Sequence, residues 1–170
     1  VVYEMFDMVS DEGRAKYHDF QRKGMYNGYK GLTFWTPNIN IFRDPRWGRG
    51  METYGEDPFL TTKMGLAVVK GLQGDGTQKY DKAHACAKHY AVHSGPEWNR
   101  HSYNAENISI RDLRETYLPA FKALVTEGKV KEVMCAYNRF EGEPCCSNKT
   151  LLINILKDEW GFDDVIVSDC

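Results

Sequence analysis

The chain has 170 residues, 22 Lys plus Arg against 24 Asp plus Glu, and a formal net charge of −2. That length supports one domain with a substantial core. The scattered, nearly balanced charge leaves no basic face for nucleic acid, and no apolar run reaches the length of a membrane span.

Apolar residues at helical intervals (Met5, Phe6, Val9, Ala15, Phe20) predict a helix from about Val2 to Lys23, stopped by Gly24. Leu32 to Trp35 is a short strand candidate, interrupted by Thr36-Pro37-Asn38. No period holds from there to Glu56, and a loop that long in a compact domain is usually functional. Asp57-Pro58 reads as an N-cap and first-turn proline opening a helix to about Leu72, and Gly74-Asp75-Gly76 ends it. Ala83 to His89 is apolar enough for a strand buried on both faces, as parallel strands are. Ser109 with Asp112 resembles a capping box for a helix to about Glu127, with a kink or a break expected at Pro119. Glu132 to Ala136 is the third strand, Ser147 the expected cap of a helix over Leu151 to Glu159, and Val165 to Val167 the fourth strand. Strands and helices alternate without hairpin signals, which predicts an α/β fold with a parallel sheet.

The chain starts inside an apparent helix at Val1 and stops on Cys170 directly after a strand, so we expect residues 1–170 to be one domain truncated at both ends. Its five cysteines (Cys86, Cys135, Cys145, Cys146, Cys170) show neither metal-ligand spacing nor a disulfide framework. The adjacent pair Cys145-Cys146 reads as buried or loop thiols, and one bridge between Cys135 and that pair is compatible with the spacing.

Candidate function gathers where apolar strands stop, as at the carboxyl ends of strands in parallel α/β enzymes. Ala83 to Ala87 leads into Lys88-His89-Tyr90, the third strand into Tyr137, and Val165 to Val167 into Ser168-Asp169. The long loop carries Arg43, Arg46, Trp47, Arg49, Glu52 and Tyr54, a set of aromatic faces and fork-shaped donors suited to a polyhydroxylated ligand. For any single charge there, an ion pair sealing the rim is the plainer reading. Asp169 would have its backbone pinned in the sheet and a carboxylate beside cations, which stays ionised and can act as a nucleophile; the alternative is a helix cap. Lys88 and His89 are strand neighbours, so one of them should point to the interior unless the strand has ended. Tyr137 can orient a carboxylate or stack on a sugar, and Met134 is otherwise plain core. Arg100 and His101 add donors from the loop after the second strand.

The segments D-P-R-W-G-R-G-M-E-T-Y-G-E-D-P (44–58), A-K-H-Y (87–90), V-M-C-A-Y-N-R-F-E-G-E-P (133–144) and V-I-V-S-D-C (165–170) occur in order and spacing similar to glycoside hydrolase family 3. The resemblance implies part of a parallel (β/α)8 TIM-like barrel and a retaining, exo-acting β-glucosidase or β-xylosidase that needs no cofactor and no metal. It implies Asp169 as nucleophile, and Arg49, Lys88, His89, Arg100, Met134 and Tyr137 as substrate-binding residues. Arg46, Trp47 and Glu52 are then structural. The implied partners are β-linked glucoside or xyloside oligosaccharides and a downstream domain that supplies the acid/base, without which residues 1–170 should be inert. The resemblance is compatible with a secreted or periplasmic parent.

Cysteine after the nucleophile and the M-C-A-Y-N wording look more like β-xylosidases. A second reading is β-N-acetylglucosaminidase of the same family with His101 as acid/base, although K-H-Y-A-V-H-S and N-R-H depart from that branch's K-H-F-P-G-H-G and D-S-H. A third is a non-catalytic carbohydrate-binding module, which the presence of Asp169 disfavours.

Overall fold

A computed structural model describes residues 1–169. Helix α1 spans Val2–Arg22 and is followed by β1, Thr33–Phe34. Helix α2, Pro58–Gln73, begins as the sequence predicts: the Asp57 Oδ1 accepts the Leu60 N–H at 2.6 Å, with proline at the first helical position. Strands β2 (His84–Tyr90) and β3 (Asn104–Ala105) come next.

The third helical region is broken, as a proline inside it predicts. The Ser109 hydroxyl accepts the Asp112 N–H at 3.0 Å, but α3 covers only Ile110–Asp112 before a π-helical stretch over Leu113–Tyr117. Helix α4 restarts at Pro119–Thr126. Pro119 has no N–H to return to the preceding turn, and Leu118 instead donates to Leu113 O at 2.9 Å, so the break sits where the ring forbids the ladder.

Strands β4 (Glu132–Cys135), β5 (Arg139–Phe140), β6 (Glu143–Pro144) and β7 (Val165–Ser168) complete the sheets. The expectation of no hairpin is corrected here, since β5 and β6 pair antiparallel across Glu141 (φ 49°) and Gly142 (φ 87°). Two left-handed residues in a two-residue turn suit a tight hairpin, with glycine at one of them. The last helix, Thr150–Glu159, is π-type and is capped by Asn148, whose Oδ1 accepts the Leu151 N–H at 2.9 Å. Ser147, the expected cap, turns back to Pro144 O at 3.3 Å.

The main sheet has the order β1-β2-β4-β7, all parallel. Chain order equals spatial order with helices between, which is the winding of a barrel; a doubly wound sheet reverses at a switch point. β1 continues past its two formal residues: Thr36 O and Pro37 O accept from Cys86 and Lys88, and Ile39 N–H returns to Lys88 O. Two register rows, Lys88–Met134–Val167 and Tyr90–Cys135–Ser168, bring the carboxyl ends of β2, β4 and β7 level. That alignment positions the site.

The core lies between sheet and helices, with Val68, Leu72, Tyr90, Phe121, Leu124 and Leu156 fully buried. The Tyr90 ring meets Phe121 edge-on at 5.1 Å, and its hydroxyl donates to Leu151 O at 3.0 Å, so its one polar atom is satisfied. At Gly71 a Cβ would lie 2.6 Å from Tyr3 O, a close approach of α1 and α2 that only glycine permits. β7 is the last strand of this sheet among the described residues, and Val165 is 57% exposed there instead of buried. Among the described residues no helix is long and apolar enough to cross a membrane.

Candidate functional site at the strand ends

At the end of β2 the ladder with β4 skips a residue between Lys88 and Tyr90. This bulge gives two residues against one, so strict alternation fails and both Lys88 and His89 enter the environment of the same site. Alternation along an unbroken strand would have admitted one of the two. His89 is fully buried and locked by Asn40, whose Oδ1 accepts from the His89 backbone N–H at 2.8 Å and faces Nδ1 at 3.0 Å. The Asn40 amide nitrogen donates to His89 O (2.8 Å) and Ala91 O (3.2 Å), which fixes the amide orientation. Nδ1 of His89 therefore carries the proton, and Nε2 offers a lone pair to the Arg49 Nη1 at 3.1 Å.

Arg49 comes from the long loop after β1. Its Nε and Nη2 form a two-point pair with the Glu52 carboxylate, each bond 2.7 Å, one helical turn away on the 3-10 segment Gly50–Glu52. A guanidinium has five N–H groups; Glu52 and His89 engage three, and the remaining two can serve a ligand. Glu52 thus holds the Arg49 guanidinium by two bonds. The other two arginines of the loop brace it: Arg43 bonds Ser94 Oγ at 3.1 Å and the Tyr103 hydroxyl, while Arg46 pairs with Asp44 and lies 5.1 Å from the Trp98 ring. Only Arg49 of the three reaches the strand ends.

Asp169 follows β7, its N–H donating to Cys135 O at 3.3 Å. Its side chain is 7% exposed and its Oδ2 lies 3.5 Å from His89 Nε2. Both atoms are acceptors in the neutral state of His89, so this is proximity across the site, not a bond. Tyr137, directly after β4, has its hydroxyl within hydrogen-bonding reach of the Asp169 carboxylate. Met134 is 1% exposed and sits in register between Lys88 and Val167. Arg100 pairs with Glu97 at 2.8 Å while its charge still acts on His89 and Tyr137. His101, exposed on the same loop, has its ring 4.5 Å from Tyr137. The structure thus brings Arg49, Lys88, His89, Tyr137 and Asp169 together, with Arg100 and His101 at the lip and Met134 beneath.

Electrostatics follow from this packing. Burial, with the neighbouring His93 and the Arg49 charge, holds His89 neutral far below the usual histidine range. Burial and then the Arg49 charge push the Lys88 ammonium down from its ordinary value, opposed by Glu52 and Asp169. The hydrogen bond from Arg49 lowers Glu52, and burial followed by the Asp169 charge raises Tyr137.

A disulfide joins Cys135, at the end of β4, to Cys146, with Cα atoms 5.2 Å apart. It closes the loop that carries Tyr137. Sequence reasoning left the choice between Cys145 and Cys146 open; Cys145 is buried and free, beneath the loop. Three site residues were missed. Asn40 and Asn138 lock histidines, and His93 packs behind His89; the signal available was polar residues just past strands, at Asn38-Ile39-Asn40 and Tyr137-Asn138.

A buried carboxylate, a guanidinium, a desolvated ammonium, a neutral imidazole and a phenol gather along one rim of a parallel sheet in an α/β domain. The chain belongs to glycosyl hydrolase family 3: residues 25–170 match the Glycosyl hydrolase family 3 N terminal domain. It is 56% identical to a xylan 1,4-β-xylosidase of Xylanibacter ruminicola, over all of this chain and 20% of that protein. It is 45% identical to β-D-xylosidase 1 of Arabidopsis thaliana, over 98% of this chain and 21% of that one. Among solved structures, a GH3 exo-β-xylosidase in complex with a xylobiose aziridine probe superposes with a TM-score of 0.84 at 38% identity, covering 99% of this chain and 22% of that one. β-Glucosidase 3B of Thermotoga neapolitana gives 0.77 at 35% identity, over 98% and 21%. The chain spans about a fifth of the length of the relatives it matches, and its fold is part of the family's (β/α)8 barrel.

Proposed function

We propose that this chain is one part of a retaining β-glycosidase that removes terminal β-xylosyl or β-glucosyl residues, with Asp169 as its nucleophile. The observation that carries the reading is Asp169 itself: a nearly buried carboxylate on a strand end, 3.5 Å from His89 Nε2 and within reach of Tyr137. The Asp169 oxygen attacks the anomeric carbon, the bond to the leaving oxygen breaks, and that oxygen takes a proton from a second carboxylic acid. Water then attacks the glycosyl ester, gives its proton to the same group, and frees Asp169. Retaining cleavage needs the two carboxyl groups about 5–5.5 Å apart, and the acid/base is assigned to a domain beyond residues 1–170. Arg49, Lys88, His89 and Arg100 bind sugar hydroxyls, and Met134 and Tyr137 line the pocket. Two donors remain on Arg49, and a sugar hydroxyl that reaches His89 Nε2 takes the place of the Arg49 Nη1 from which its lone pair accepts.

The high identity to xylosidases supports the xyloside over the glucoside. His101, in ring contact with Tyr137, keeps one competing reading specific: an N-acetylglucosaminidase with its acid/base in this loop. The test is a pair of variants in the full-length enzyme that contains this chain, assayed on aryl β-xyloside, β-glucoside and N-acetyl-β-glucosaminide. Asp169→Asn should nearly abolish turnover, since an amide neither attacks nor stabilises the developing positive charge, and His101→Ala should be mild. A severe His101→Ala loss with preference for the N-acetylglucosaminide would replace this reading.

A further inference from the structure

His93 is 2% exposed and lies in the segment leaving β2, outside the set of residues assigned above. Its ring is packed against three others: His89 with centroids 4.8 Å apart, Tyr137 at 5.6 Å edge-on and Trp47 at 5.7 Å edge-on. Two of these three, His89 and Tyr137, face Asp169 in the site. A ring wedged between them restricts the tilt available to each.

The orientation of the wedge is itself fixed. Asn138 donates from its amide nitrogen to Val92 O at 2.9 Å and Arg139 O at 2.8 Å, so its Oδ1 must face the imidazole, 3.1 Å from Nδ1. Nδ1 of His93 therefore holds the proton, by the same logic that Asn40 applies to His89. The result is two adjacent neutral imidazoles, each keyed by an asparagine that is anchored to two backbone carbonyls. The second of them meets the assigned groups through its ring contacts with His89 and Tyr137.

We propose that His93 is a positioning residue for the reaction: its aromatic ring holds His89 and Tyr137 at the angles that aim them at Asp169 and the bound sugar. This rests on the glycosidase reading. A flat, uncharged ring is the property required, and the hydrogen bond to Asn138 serves to orient it.

Two substitutions separate this role from ordinary core packing. In the full-length enzyme, His93→Gln keeps comparable length and a donor for Asn138 but has no ring, whereas His93→Phe keeps a ring and leaves the Asn138 oxygen without its donor. A purely structural histidine predicts that Gln is the better substitute in both stability and rate. Positioning predicts opposite orders: Phe melts lower than Gln yet retains kcat on an aryl β-xyloside within about threefold, while Gln loses about 10²-fold, the scale of a small misplacement of reacting groups. The difference should also appear as slower trapping by a 2-fluoro xyloside. Equal kcat losses, or a Gln variant as active as wild type, overturn the proposal while wild-type turnover leaves the glycosidase reading standing. A wild-type enzyme that cleaves no β-glycoside would defeat both.

Discussion

Replacing Asn40 by alanine should cost the fold far more than its size suggests. The side chain is 2% exposed and serves four groups: the His89 N–H (2.8 Å), His89 Nδ1 (3.0 Å), His89 O (2.8 Å) and Ala91 O (3.2 Å). Alanine removes all four bonds and leaves buried donors and acceptors behind. At about 1 kcal/mol for each, the loss is about 3 to 4 kcal/mol, at the upper end of what single substitutions do. Asn40→Asp should be no better, because a carboxylate oxygen would then face two carbonyls, and it should also draw a proton onto His89 by placing an anion beside Nδ1. Urea unfolding of the full-length enzyme, read on the transition that includes this domain, measures the first effect, and kcat/KM on an aryl β-xyloside measures the second. A loss below about 1 kcal/mol with unchanged kcat/KM would refute the claim that Asn40 fixes His89.

The Cys135–Cys146 bridge closes a short loop, so Cys146→Ala should destabilise by about 2–3 kcal/mol and lower activity through the Tyr137 segment; melting with and without reductant checks it, and an enzyme indifferent to reductant would speak against the pairing. Stability should also fall with acid in a defined window. Burial depresses His93 to about 4, so the unfolded chain binds a proton near pH 6.5 that the folded one refuses. The stabilisation is full above about pH 6.5 and declines as pH falls towards 4, by at most about 3 kcal/mol from this residue, with His89 acting in the same direction. Denaturation between pH 7 and 4 should show that slope, reduced in His93→Phe.

Strand and helix order was legible because the strands lead into polar residues and α2 and α3 start at side-chain caps, Asp57 and Ser109. Asp57-Pro58 is the clearest case, where a local hydrogen bond and a fixed φ suffice. What was not legible depended on contacts across the chain. Whether Ser147 or Asn148 caps the last helix is decided by one residue of backbone rotation, and the β5–β6 hairpin is too short to show a period. In the site, Lys88, His89, Tyr137 and Asp169 were visible because they directly follow apolar strands. The bulge that lets Lys88 and His89 share one site was not, since it overrides the alternation that local pattern shows. Asn40, His93 and Asn138 escaped because their importance lies in pairing across 45 to 49 positions of sequence, which no local pattern encodes.

The account turns on Asp169 as the group that takes the sugar. Incubating the full-length enzyme with a 2-fluoro β-xyloside bearing a good leaving group, followed by peptide mass mapping, tests it most directly. The account predicts one label per active site, on Asp169 in the peptide that contains Val165 to Ser168, and none in Asp169→Asn. A label on a different carboxylate would contradict it.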